Sequence, residues 1–436
     1  MTESREKLVR AIGTFGLAAG IINITIGGGI FRLPASVAST MGPSAWIAYV
    51  VCAVAMGLIV LCIAEAGSRV SLTGGPYAYV GTAFGPYPAF ISGVLLFMLG
   101  TFATAAVSTV FAASVGQLVP ALSDPISSTV VLLAAYAFWS IVNFRGVTLS
   151  VRLNSIATVA KLMPLLLVAV GGAFFISPGN LAIEVLPAAG DIARTSLLLI
   201  FAFAGIECAL VPSGEVRDTA RTVPRAIALA MLAITALYIA LQVVSQGILG
   251  DALAGASASP LADAASASMG GGARAILLAG AAISTFGYLG GMTLSMPRAL
   301  FALARDGFLP KSLAAVHPQY HTPHVAIIVQ SLLTLVLATT GTFEQLAILA
   351  NVSALALYFG CALASWKLRR MKVSAGGGAF TIPGAALVPW MACAVIAWLL
   401  TGVSSLEWLG FAICVALASM AYGVTRSAKR AGTNFS

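Results

Sequence analysis

The chain has 436 residues, of which 59% are hydrophobic and only 8% charged, whereas an ordinary soluble domain is about 25% charged. Apolar runs of roughly 20 residues recur from end to end, each long enough to cross a hydrocarbon core, and they lack the alternating dyad of a membrane barrel. That pattern excludes a soluble protein, and the net charge of +9, carried in short loops, is read by the positive-inside rule rather than as a nucleic-acid surface.

The runs and the punctuation between them predict an all-α membrane protein of about twelve transmembrane helices. Their limits are 11–38, 44–66, 86–118, 127–143, 153–176, 194–213, 224–248, 274–302, 324–340, 344–366, 385–402 and 406–424. Short loops join them, so the chain reads as one polytopic domain. The first run is too long for a cleavable signal and carries a glycine triplet that a signal would not need.

The first span contains Gly27, Gly28 and Gly29, with Pro34 soon after. Each glycine is about 1 kcal/mol poorer than alanine inside a helix. The sixth span repeats the theme with Gly205, Glu207 and Pro212. Broken helices five spans apart predict a five-plus-five inverted repeat with the substrate at the breaks. The halves are 11–176 and 194–366, and 385–424 adds two helices. The alternative is glycine serving close helix packing alone. At a break, the N–H groups of Gly28, Gly29 and Ile30 suit a carboxylate, and helix-end carbonyls suit an ammonium group. A zwitterion is thereby bound at both ends without a charged side chain.

With the N-terminus taken as cytoplasmic, the loop arginines and lysines, from Arg5 and Lys7 to Lys429 and Arg430, fall on the cytoplasmic side. Only Arg194 and Arg274 fall on the other. Both termini are therefore expected inside, in the plasma membrane. Four ionisable residues are expected at membrane depth: Arg32, Glu65, Lys161 and Glu207. Each is a functional hypothesis, because a charge there costs about 2.5–3.5 kcal/mol or more unless paired or near water. Glu65 is expected to pair with Arg69 one turn along. Arg32 either closes an outer gate with an acidic partner or snorkels to the interface.

The six cysteines, Cys52, Cys62, Cys208, Cys361, Cys393 and Cys414, lie in or beside apolar runs without a CxxC pair. They read as small buried residues, with no disulfide. His317, His321 and His324 share one loop without the spacing of an interior zinc site. No metal and no cofactor are expected. HExxH, GxSxG and a membrane-depth aspartate pair are absent from the sequence, so it does not read as an enzyme. A channel would need a continuous polar lining.

These motifs resemble the amino acid–polyamine–organocation superfamily, and within it the bacterial amino acid permeases. The pieces are Gly27-Gly28-Gly29-Ile30-Phe31 with Pro34, Gly74-Gly75-Pro76-Tyr77-Ala78-Tyr79 through Phe84-Gly85-Pro86, Phe201 to Glu207 with Glu215 and Pro224-Arg225-Ala226-Ile227, and Arg298 to Pro310. The resemblance implies the inverted-repeat transporter bundle. It places a carboxylate site on Gly28 and Gly29, flanked by Thr25, Gly27 and Ile30. It places an amine site on the carbonyls of Phe201, Ala202 and Ala204 beside Gly205, with Phe201 as an aromatic gate. Gly100, Thr104 and Met292 fall at the side-chain pocket.

The resemblance also implies that Lys161 takes the place of a sodium ion, bridging first-span carbonyls to the hydroxyls of Thr293 and Ser295, or, once desolvated, carries a proton; the alternative is a lysine snorkelling to the cytoplasmic interface. By the same resemblance Glu207 matches a glutamate proposed for proton coupling in some relatives; the alternative is a structural hydrogen bond that holds the unwound backbone. Met292 stands where an arginine antiporter of the family has tryptophan, and no pocket position is acidic. The expected substrate is a small neutral L-amino acid, moved by sodium-independent alternating access as proton symport or exchange. The alternative is a cationic amino acid or polyamine. The expected surroundings are the lipid bilayer, without nucleic acid. A monomer and a dimer through spans 11 and 12 stay equally open.

Overall fold

The computed structural model describes residues 13–70, 75–145, 162–183, 186–206, 219–256, 258–305, 307–320, 322–374, 379–382 and 384–432, and all regular structure among them is helical. The first span is two short helices, α1 (Thr14–Thr25) and α2 (Leu33–Met41). Gly42 at φ 50° and Pro43 turn the chain into α3 (Ala45–Arg69). There follow α4 (Pro76–Phe84), α5 (Pro86–Leu118), α6 (Pro125–Arg145) and α7 (Leu162–Phe175). The second half runs through α8 (Ala189–Phe203), α9 (Thr219–Leu249), α10 (Ala252–Gly255), α11 (Pro260–Met269) and α12 (Gly271–Arg305). It ends with α13 (His324–Thr340), α14 (Phe343–Arg370), α15 (Val388–Leu400) and α16 (Ser405–Gly432).

Seven helical stretches among the described residues are long and apolar enough to cross a membrane, and α7, α13 and α15 are shorter apolar helices. The first span is cut by its break into α1 and α2, and of the sixth span the described residues hold α8 and the break that follows it. The limits expected for spans 3 and 9 coincide with α5 and α13. The sixth helix starts earlier than expected, at Ala189, and both it and the fifth span run into residues outside the description. Sequence patterning misses α4, α10 and α11. All three are too short to cross, and α4 is bounded by local signals instead: Pro76 at its first position and Gly85 at φ 91° after its end.

The core is built around α5, which packs on α12 and α14, while α9 packs on α1 and α3. Small residues permit this. A Cβ at Gly290 of α12 would lie 2.5 Å from the Trp139 indole of α6, so the two backbones meet only because the side chain is absent. At one end of the bundle Glu65 is fully buried. It accepts hydrogen bonds from Arg69 (Nη2 at 2.9 Å, Nε at 3.2 Å) and from Arg369 (Nε and Nη2, each at 2.8 Å). Arg69 is the partner read from sequence. Arg369 joins from α14, and its Nη1 also reaches the Ala385 carbonyl.

Candidate functional site

The first break follows directly from its glycines. Helix α1 stops at Thr25, Ile26 turns to ψ 82°, and Gly27 is extended at φ −102°, ψ −157°. A single 3₁₀ turn, Gly28–Phe31, precedes α2. The Gly27 N–H donates back to Thr25 O (2.8 Å). The N–H groups of Gly28 and Gly29 open the 3₁₀ turn, where no intrahelical acceptor exists. In the second break, α8 ends at Phe203, Ala204 is extended (ψ 152°) and Gly205 sits at φ 116°, a conformation that favours glycine.

The two breaks face one cavity of about 40 Å³. By that measure one water needs roughly 10–15 Å³, so the space suits a small solute. Thr25, Gly27, Gly28 and Gly29 line it from the first break, and Phe201, Ala204 and Gly205 from the second. Leu96, Leu99, Gly100, Ala103 and Val107 come from α5, and Tyr288, Met292 and Met296 from α12. No lining side chain among the described residues is charged. The Thr25 hydroxyl is buried here without a hydrogen-bond partner among the described residues, a condition that a bound polar ligand would relieve.

The glycines are closely fitted. A Cβ on Gly28 would meet Val107 Cγ1 at 2.9 Å and Thr285 Cγ2 at 3.0 Å, and one on Gly29 would meet Phe201 Cδ1 at 2.8 Å. At Gly100 the Met296 thioether occupies the space a side chain would need.

Several residues expected at the site sit just behind it. Ile30 is fully buried in the core. The Ala202 carbonyl accepts the Tyr238 hydroxyl at 3.0 Å. The Thr104 hydroxyl donates to Gly100 O (2.6 Å), and that of Thr293 to Leu289 O (2.7 Å). Ser295 is exposed and donates to Gly291 O (2.9 Å). The last three are helical residues whose hydroxyls reach back one turn to their own backbone, leaving none of them lining the cavity. Lys161 and Glu207 lie outside the described residues.

Phe201 also carries contacts to residues outside the cavity lining. The Phe201 ring meets Phe343 edge-on (centroids 5.5 Å apart), and the Arg32 guanidinium lies 5.5 Å from the Phe343 ring centre. Arg32 Nε is 3.5 Å from Glu344 Oε1, an ion pair outside hydrogen-bond geometry. Phe343 and Glu344 are fixed by a capping box that starts α14, in which Thr342 and Gln345 exchange hydrogen bonds. Glu344 is thus the acidic partner that sequence left unnamed.

Tyr288 and Met296 were missed although they sit one turn to either side of Met292, a spacing that puts all three on one face. The α5 lining has the same helical spacing, yet nothing in an apolar run distinguishes a cavity face from a lipid face. Among the described residues no group of histidine, cysteine, aspartate and glutamate is arranged to hold a metal.

Comparison with known proteins identifies the family. A family model described as amino acid permease matches residues 12–406. The branched-chain amino acid permease BcaP of Bacillus subtilis (strain 168) is 27% identical over 407 residues, 90% of this chain and 87% of that one. The methylthioribose transporter of the same organism is 26% identical, covering 96% and 94%. Its serine/threonine exchanger SteT is 27% identical, covering 89% of each. The chain belongs to the amino acid permease family, within the amino acid–polyamine–organocation superfamily.

Proposed function

We propose that this permease moves a small neutral L-amino acid across the plasma membrane by sodium-independent alternating access, coupled to protons or to exchange for a second amino acid. The observation that carries the substrate class is the cavity between the two breaks. It offers amide donors at Gly28 and Gly29 and helix-end carbonyls at Phe201 and Ala204, beside an apolar compartment of Leu96, Leu99, Met292 and Met296. A carboxylate fits the donors and an ammonium fits the carbonyls. A cationic side chain would have no counter-charge among the described lining residues. Two relatives are named for branched-chain amino acids and for serine and threonine, which are neutral substrates.

In this reading the Lys161 ammonium stands where a coupled sodium would bind. The hydroxyls of Thr293 and Ser295 donate to their own helix, which leaves oxygen lone pairs able to accept from an ammonium. Glu207 is the candidate proton carrier. The inverted halves 11–176 and 194–366 alternate access by moving the broken helices against a scaffold of α5, α6, α12 and α13. Both termini face the cytoplasm, in keeping with the one-sided basic loops.

The test is uptake of labelled alanine, serine and leucine into proteoliposomes, with and without sodium and with and without a pH gradient. Competitors are a neutral amino acid panel, arginine, putrescine and methylthioribose. Uptake should persist in sodium-free buffer and be blocked best by small neutral amino acids. Strict sodium dependence would sink the Lys161 assignment, and strongest block by arginine or putrescine would reverse the substrate class.

A further inference from the structure

Helix α9 carries buried polar residues on one face, Tyr238, Gln242, Ser245 and Gln246, each no more than 2% exposed. Two of them reach the broken helices. The Tyr238 hydroxyl lies 3.0 Å from Ala202 O, in the last turn of α8, and 3.3 Å from Thr25 O, the last residue of α1. Both carbonyls sit where a helical ladder has just been interrupted. One turn further along α9, Gln242 Nε2 points to Pro34 O at 3.4 Å, across the break in the first residues of α2. The amide is held in that sense by Tyr49 of α3, whose hydroxyl donates to Gln242 Oε1 at 3.1 Å.

We propose that α9 is a splint for the two broken helices and that Tyr238 is a positioning residue for substrate binding. Its single proton is shared between two carbonyls, one from each break, so it fixes the distance between them. Thr25 lines the cavity and its hydroxyl is buried without a partner among the described residues, and Ala202 lies between the cavity residues Phe201 and Ala204. Holding those two backbones therefore sets the spacing between the amide donors and the carbonyl acceptors that receive the two ends of a zwitterion. Gln242 adds a weaker tie across the first break, keeping α2 in line with α1. The inference rests on the amino acid reading of the cavity only for its kinetic consequence; the splint itself is a property of the backbone.

The variant Tyr238→Phe keeps the ring, which packs edge-on against Phe203 (centroids 5.4 Å apart), and removes only the proton. Tyr136→Phe is the matched control, an equally buried hydroxyl bonded to Ser108 Oγ at 2.7 Å. In proteoliposomes Tyr238→Phe should raise KM for the best neutral amino acid by about tenfold with less than a twofold change in maximal rate. Gln242→Met should raise it about threefold, and Tyr136→Phe should leave it unchanged.

Amide hydrogen exchange without substrate supplies the independent readout. Residues 24–30 and 200–206 should exchange faster in Tyr238→Phe and at the wild-type rate in Tyr136→Phe. Unchanged exchange at both breaks overturns the splint, whatever the substrate proves to be. Faster exchange at the breaks with KM within twofold of wild type overturns the positioning role. A KM rise equalled by Tyr136→Phe also overturns it, as a general effect of removing a buried hydroxyl. Faster exchange in a protein that takes up no amino acid upholds the splint and rejects the amino acid reading alone.

Discussion

At Gly28 the absent side chain is what brings the first break within reach of α5 and α12. Gly28→Val would drive methyl groups into Val107 and Thr285, closing the approach to the amide donors. Binding of a labelled neutral amino acid should fall below detection; retained affinity would refute the carboxylate site. Thr25→Val tests the other unsatisfied group. Replacing the orphaned hydroxyl by a methyl removes one hydrogen bond to ligand, worth about 0.5–1.5 kcal/mol, so affinity should fall roughly tenfold at most while thermal stability holds or rises. Gly100→Ala should act through Met296. The thioether is flexible enough to move aside, and the direction open to it is the cavity. Transport of leucine should weaken relative to alanine, as measured by their KM ratio. The glycine triplet was legible in the sequence because it violates helix propensity. Tyr288, Met296 and the α5 leucines were not, because an apolar residue facing a cavity and one facing lipid read alike.

Among the elements, the helices that cross the membrane were legible because their length is set by the bilayer. The short ones were not, and neither were ties between distant elements. Arg69 was readable as the partner of Glu65 because the two lie one helical turn apart. Arg369 lies 304 residues further along than Glu65, and only the fold brings α14 beside α3. This junction makes a sharp stability test. Glu65→Gln leaves two guanidinium groups around a neutral amide in a buried site, and breaking such a pair from one side costs about 3–5 kcal/mol. The variant should lose several degrees of thermal stability in detergent. An unchanged midpoint would show that the second arginine already relaxes into solvent. Replacing all three by apolar residues of similar volume should restore most of the loss, because desolvation of the charges goes with them.

For the molecule as a whole, α14 links two ionic contacts of very different strength. Glu344 at its start holds Arg32, and Arg369 near its end holds Glu65; the offset of 25 residues between them corresponds to about 38 Å of helix. The Glu65 contact is buried and multiply hydrogen-bonded. The Glu344 contact is a 3.5 Å ion pair with the Glu344 side chain 40% exposed, the kind of pair worth about 0–1 kcal/mol. On the proposed alternating-access reading, the equilibrium between closed and open states is most readily shifted at the Arg32 end, where the Phe201 and Phe343 rings also meet. Glu344→Gln should favour the state open on that side by up to about fivefold, the population change that 1 kcal/mol produces. A cysteine placed at Ala103, on the cavity wall, reports it. Its labelling by a membrane-impermeant thiol reagent should speed up in Glu344→Gln, and in the parent protein it should speed up with salt, which screens an exposed pair. Phe343→Ala should raise the rate further, because it removes both the ring that meets Phe201 and the surface beneath Arg32. If all three rates equal that of the parent in low salt, the Arg32–Glu344 pair takes no part in closure, which rests on apolar contact elsewhere.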